Sequence, residues 1–151
     1  MTELASSRFA LPFLALAQAQ KETTHNEALA LIDMLLHPVC EGIADDPSML
    51  MPQPGQCWCV GAQASGVWSG HANHLAGWTA GGWRFAAPVE SMRLFDRSSG
   101  GSLVYRGGAW LAADHIALPS GGSVIDVEAR DSLAALVTVL ERAGIVIATI
   151  S

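Results

Sequence analysis

The chain reads as an α+β protein: a small Trp-rich antiparallel β-meander flanked by an N-terminal helix and a C-terminal amphipathic helix. Three observations predict this. Apolar residues recur at helical spacing just before Pro38. Short aromatic runs then alternate with Gly-rich turns from 57 to 114. A second stretch of helical period occupies 126–143.

Residues 1–22 are expected to form an extended arm, and 23–151 a single domain, which suits a chain of 151 residues. Thr24-His25-Asn26-Glu27 fits a capping box, in which the Thr hydroxyl and the Glu carboxylate satisfy free backbone N–H groups. The helix expected over 24–37 carries Ala28, Leu29, Leu31, Ile32, Leu35 and Leu36 as a wide apolar stripe. Pro38 stops it. Residues 41–56 hold Gly42, Asp45-Asp46-Pro47, Pro52, Pro54 and Gly55 without any period, and read as loop.

The β-meander is expected over 57–114, in five to six strands. Its runs are Cys57–Val60, Leu75–Thr79, Trp83–Ala86, Met92–Phe95, Leu103–Tyr105 and Trp110–Ala112. Gly81-Gly82 and Gly107-Gly108 between such runs are hairpin signals, because glycine accepts the positive φ of tight turns. Trp78-Thr79-Ala80-Gly81-Gly82-Trp83 and Tyr105-Arg106-Gly107-Gly108-Ala109-Trp110 echo one another, each with aromatics on both sides of the turn. Two copies suggest a repeated hairpin, not a repeat fold.

The second helix is expected over 126–143, with Asp126 as N-cap, Glu128 at the positive end of the dipole and Gly144 at C′. Ala129, Leu133, Leu136, Leu140 and Ala143 follow the a/d rhythm of a coiled coil over two heptads. Two readings stay open: a helix packed on its own sheet, or a seam between copies formed by Ala129, Leu133, Leu136 and Leu140. Ile145–Ile150 reads as a final strand.

Half of the residues are apolar, enough for a core, while charged residues make up only 15%, below the usual level of about 25%. So little charge hints at subunit contacts. The net charge is −6 and the eight basic residues are scattered, so neither nucleic acid nor an anionic membrane is an expected partner. No stretch has the roughly 18–20 apolar residues of a membrane span. Ala15-Leu16-Ala17-Gln18 imitates a signal-peptide cleavage site. Glu3 and Arg8 cancel in the leading segment, however, and Pro12 interrupts the apolar run, so these residues are read as arm. The odd set Cys40, Cys57 and Cys59 is not a disulfide framework and suits a reducing cytoplasm.

Motifs for chemistry are sparse. Gly61-Ala62-Gln63-Ala64-Ser65-Gly66 lacks the spacing of a nucleophile elbow, and there is no phosphate-binding glycine loop. Cys57, Cys59, His71 and His74 supply donor types that zinc accepts, but not at ribbon spacing. Buried small cysteines and a polar histidine loop are the simpler reading, and no cofactor is expected. Asp45-Asp46 pairs carboxylates in a loop with no evident partner acid, the weak basis for a third reading as a small hydrolase. The five tryptophans say more. Trp58 alternates with apolar neighbours and reads as core. Trp68, Trp78, Trp83 and Trp110, with Tyr105, flank Gly-rich turns, where rings either complete a thin core or stack on a ligand such as a sugar.

Leu11-Pro12-Phe13-Leu14, Gln18-Ala19-Gln20-Lys21 and Asn26-Glu27-Ala28-Leu29 through Ile32-Asp33 together resemble the opening signature of an uncharacterised phage-associated domain family of alpha-proteobacterial prophages and gene transfer agents. Gly55 to Pro88, the Leu103 to Trp110 hairpin and Gly121-Gly122 through Ile125-Asp126 to Glu128-Ala129-Arg130 are similar to its later segments. The likeness runs from residue 10 to about 145. Cys57 and Cys59 depart from it, standing where ordinary strand residues are expected. The resemblance implies a tail- or head-fibre context, homotrimers and surface-glycan recognition, and it defines no catalytic residues. The expected function is therefore a non-enzymatic structural or adhesive module of a phage-like particle, with a carbohydrate-binding module as the alternative. Expected partners are copies of itself (a trimer is favoured), other particle proteins and surface polysaccharide. The expected location is the bacterial cytoplasm on synthesis and the particle thereafter.

Overall fold

The computed structural model describes residues 5–14, 21–112, 114–117, 126–143 and 145–149. The elements in chain order are α1 (Lys21–Leu35), β1 (Val39–Cys40), β2 (Ile43–Ala44), β3 (Cys57–Val60), β4 (Leu75–Thr79), β5 (Gly82–Ala86), β6 (Arg93–Asp96), β7 (Gly101–Arg106), β8 (Ala109–Ala112), β9 (Asp114–Ala117), α2 (Val127–Arg142) and β10 (Val146–Thr149). The α+β class holds, with helices before and after a Trp-rich β region.

Six strands lie between 57 and 112, but they do not form one meander. They divide into two sheets of the same plan, β2-β3-β4-β5 and β1-β6-β7-β8. In each, three antiparallel strands are extended by a two-residue parallel strand. The break falls after β5, where Pro88 has no N–H for a ladder and Ser91 has φ +68°. The segment expected as loop over 41–56 supplies β2.

The short stretch from Val39 to Ala44 belongs to both sheets. Val39 and Cys40 pair with Phe95 and Asp96, and Ile43 and Ala44 pair with Cys59 and Val60. Between them the Glu41 N–H donates to the Cys57 carbonyl (2.8 Å), and the Gly42 carbonyl accepts from the Cys59 N–H (3.0 Å). One core lies beside this stitch, built from Met34, Cys40, Cys57, Cys59, Leu75, Ala86, Leu94 and Leu103. It therefore draws on α1 and on both sheets. A second cluster of Trp58, Val60, Trp68 and Ala76 takes the opposite face of β3 and β4, because side chains alternate along a strand.

The N-terminal helix starts at Lys21, a turn before the expected cap, and ends at Leu35. Thr24 to Glu27 thus lie inside the helix, and Glu27 pairs with Arg84 at 3.5 Å instead of capping. The apolar stripe read from sequence is largely exposed at Ile32, Leu35 and Leu36, whereas Asp33 and Met34 are buried. The reason is the arm. Asp33 accepts from the Ser6 hydroxyl (2.6 Å) and from the Arg8 and Phe9 N–H groups (2.9 and 2.6 Å). Asn26 lies seven residues earlier, two turns away on the same side, and its amide brackets Leu14 by accepting from its N–H and donating to its carbonyl. The Arg8 guanidinium donates to the carbonyls of Asp33, Met34 and His37, oxygens that the end of a helix leaves without partners. A helix face that a sheet would otherwise cover is occupied by hydrogen bonds to a second strand of chain.

The C-terminal helix is capped as expected, with Asp126 accepting from the Ala129 N–H at 2.9 Å. The expected final strand pairs in parallel with β9, and α2 packs against β10. The sequence motifs at 15–20, 121–125 and Gly144 lie outside the described residues. Replacing Asp33 with Ala would remove the acceptor of the Ser6 hydroxyl and of two part-buried backbone N–H groups. We expect a loss of about 2–4 kcal/mol in urea unfolding. A loss under about 1 kcal/mol would show that the arm is held by something else.

Candidate functional site

Three places gather the residues singled out by the sequence: the two aromatic hairpins, the space beneath the arm, and the outer face of α2.

The two hairpins are built alike. Trp78 faces Trp83 across β4 and β5, and Tyr105 faces Trp110 across β7 and β8. Both pairs meet edge to face, with ring centroids 5.0 and 5.3 Å apart. Gly107 and Gly108 both have positive φ (59° and 86°), as the two-residue turn between Arg106 and Ala109 requires. In the other turn Gly82 takes φ +95°, and the Thr79 hydroxyl bridges the tip by accepting from Gly81 N–H and donating to the Gly82 carbonyl.

The rings differ in what they leave free. Trp68 is completely buried and Trp58 nearly so. Both meet Trp83 edge-on, at 5.0 and 5.7 Å, so Trp83 lies in the middle of a four-tryptophan cluster with Trp78. The buried Trp68 indole N–H has no hydrogen-bond partner among the described residues, which leaves ring packing as the cohesion of this cluster. Trp68 therefore has no face to offer a ligand. Trp78, Trp83, Tyr105 and Trp110 are half-buried. Trp110 is also fixed through its indole N–H, which donates to the Asn73 carbonyl at 2.8 Å, while the Asn73 amide donates to Gly108 at the turn. Asn73 itself has φ +64°, a conformation that asparagine tolerates better than most residues.

The four donors weighed for zinc are separated by the sheet. Cys57 and Cys59 point into the core shared by the two sheets. His71 stacks on Phe85 at 3.7 Å, beside the tryptophan cluster on the opposite face, with His74 edge-on to it at 5.2 Å. Among the described residues, no three His, Cys, Asp or Glu side chains are placed to hold a metal ion. Burial pushes the Cys57 thiol up to about 12. A hydrogen bond with Cys40, together with burial, raises Cys59 further. Asp96 accepts from the Cys40 thiol at 3.7 Å. Burial works against its ionisation, but hydrogen bonds from Ser98, Ser99 and Cys40 outweigh it and hold the carboxyl below its ordinary range. Asp45 and Asp46 organise their loop. Asp45 accepts from the Gln63 N–H, and Asp46 from the Ser48 N–H and the Ser65 hydroxyl, which lower its pKa.

Beneath the arm lies a cavity of about 140 Å³. Phe13 of the arm, Ala30 and Met34 of α1, and Trp78 of β4 wall it, with Arg84 at one side. The sequence reading found Trp78 but missed Arg84, Met34 and Phe13. The available signal was Asp33, a carboxylate inside an apolar helical stripe, which marks where that helix meets a partner.

On α2 only Val137 is buried. Of the residues assigned to a seam, Ala129, Leu133 and Leu136 are exposed and Leu140 is half-buried. The helix therefore rests on β10 through a different line, and most of the heptad residues face outward.

A family model described as a protein of unknown function, DUF2793, matches residues 25–111. That is more than half of the chain, so the chain belongs to this family. The match takes in α1 from its second turn, both sheets and both aromatic hairpins; the arm and α2 fall outside it. No curated protein matches the chain.

Cys57 ionises near 9.0 in an unfolded chain but only at about 12 when folded. Between these values the unfolded state binds fewer protons. The stability from keeping this thiol protonated is thus complete below pH 9 and is lost as pH rises toward 12. Its share of the slope is at most about 1.4 kcal/mol per pH unit. Urea unfolding from pH 8 to 10.5 should show this fall, and Cys57→Ala should flatten it; an unchanged slope in the variant would exclude Cys57 as a source.

Proposed function

We propose that this DUF2793 protein is a non-enzymatic structural or adhesive module of a phage-like particle, assembling with copies of itself through its helices. The observation that carries the assembly part is the outward turn of apolar residues on both helices. Leu133 and Leu136 are 48% and 53% exposed on α2, and Ile32 and Leu35 are 46% and 39% exposed on α1. Apolar residues at heptad spacing that the parent domain does not cover are what an inter-helix seam requires. The particle context rests on the resemblance of the opening and hairpin segments to phage-associated proteins. A trimer is the favoured state, with other particle proteins as further partners. The chain would be made in the bacterial cytoplasm and then carried in the particle. The scattered basic residues and the net charge of −6 favour protein partners over nucleic acid.

Light scattering after gel filtration tests this reading. The wild-type chain is expected as an oligomer, and Leu133→Asp or Leu136→Asp as a monomer with an unchanged circular dichroism spectrum. A wild-type monomer, or a variant that keeps the oligomer, would overturn the α2 seam.

A second reading is supported by the paired hairpins, whose half-buried rings stand beside tight turns on two sheets of the same plan. On that reading Trp78, Trp83, Tyr105 and Trp110 recognise surface glycans. Titration with host capsule or lipopolysaccharide sugars should shift tryptophan fluorescence, and Trp110→Ala should reduce the response. Silence across a broad glycan panel would remove this reading.

A further inference from the structure

We propose that the cavity beneath the arm is a binding site for a small apolar carboxylate, its hydrocarbon body enclosed and its carboxylate paired with Arg84. This goes beyond the assembly reading and does not depend on it.

The size and walls set the body of the ligand. A cavity of about 140 Å³ matches a benzene-sized group, and apolar cavities of this size take up such molecules. Ala30, Met34, Phe13 and Trp78 supply the apolar wall. Gly77 belongs to the design of the floor. A Cβ built there would come within 2.4 Å of the Met34 sulfur and 3.3 Å of the Cys57 sulfur, so glycine lets α1 sit close to the sheet. Gly55 does the same for the arm, since a Cβ there would lie 3.1 Å from Arg8 and 3.2 Å from Ser7. The roof is therefore held by Asp33 on one side and fits closely over Gly55 on the other.

Charge sets the head of the ligand. Arg8 and Asp33 line the cavity with one charge of each sign, and both are committed to hydrogen bonds that hold the arm. Arg84 is different. It lines both this cavity and the hollow that adjoins it beside Glu27 and Asn26. Its Nη1 donates to the Gly81 and Trp83 carbonyls, which fixes the guanidinium in place. Its Nη2 has Glu27 at 3.5 Å, with the Glu27 side chain 55% exposed. An ion pair this long and this open to water is weak. A ligand carboxylate in the adjoining hollow can take Glu27's place, while Glu27 returns to solvent at little cost.

The test uses the full chain with phenylacetate, and with 2-phenylethanol as a neutral molecule of the same shape. Tryptophan fluorescence and amide chemical shifts report binding. The expected result is saturable binding of phenylacetate, about five-fold tighter than the alcohol. Glu27→Gln, which removes the competing carboxylate, should tighten phenylacetate by about two- to five-fold. Arg84→Gln should bring phenylacetate down to the affinity of the alcohol, and Ala30→Phe, which fills the cavity, should abolish both. No saturable binding to the wild type, equal affinity for acid and alcohol, or binding unchanged in Ala30→Phe would each overturn the proposal. If Ala30→Phe does not fold, Arg84→Gln decides, because phenylacetate binding unchanged in that variant overturns the assignment of the head. Loss of oligomers in the light-scattering experiment would leave these results untouched, so the two readings fail separately.

Discussion

The architecture depends on one six-residue stitch. From Val39 to Ala44 the backbone serves first as the parallel edge of one sheet and then as the parallel edge of the other. Each sheet has three further strands. Joined at this segment, the two contribute to a single core around Cys40, Cys57, Cys59, Leu75, Leu94 and Leu103. Three cysteines suit that position because a thiol is small and apolar enough to fit where two sheets come close. Their chemistry follows from the packing: burial raises the Cys57 thiol, a hydrogen bond with Cys40 together with burial raises Cys59, and all three are core residues in effect.

The arm is the second constraint, and it changes the role of the first helix. In a two-layer protein a helix normally turns its apolar stripe toward the sheet. Here α1 turns Asp33, Met34 and Ala30 inward and holds a separate segment of chain, leaving Ile32, Leu35 and Leu36 exposed. Two features follow from this one arrangement: a partly open cavity between arm, helix and sheet, and an outward apolar face. The first supports a small-ligand site, and the second supports assembly.

The aromatic hairpins show how one local solution serves two roles. In the first sheet, half-buried Trp83 meets Trp58, Trp68 and Trp78 edge-on, so the rings build a core on the face opposite the shared one. In the second, Trp110 reaches the shared core and is tied to Asn73 through its indole nitrogen. The same Gly-turn hairpin thus supplies cohesion in one sheet and links a loop to a turn in the other.

The sequence by itself determined what local physics controls. Gly107-Gly108 can only be a tight turn, the flanking aromatics then face one another, and Asp126 caps α2, because each outcome depends on neighbours a few residues away. Cys57 and Cys59, two residues apart on one strand, share a face as alternation along a strand requires. Which side of the sheet receives His71 and His74 is a matter of loop path, which spacing does not encode. Only the tertiary structure decided that the β region forms two sheets, because two-residue parallel strands carry no periodicity and gain their partners at long range. It also decided which face of each helix is buried. An apolar stripe marks the face that prefers to leave water, but whether the domain's own sheet, an arm or another chain covers it depends on contacts remote in sequence.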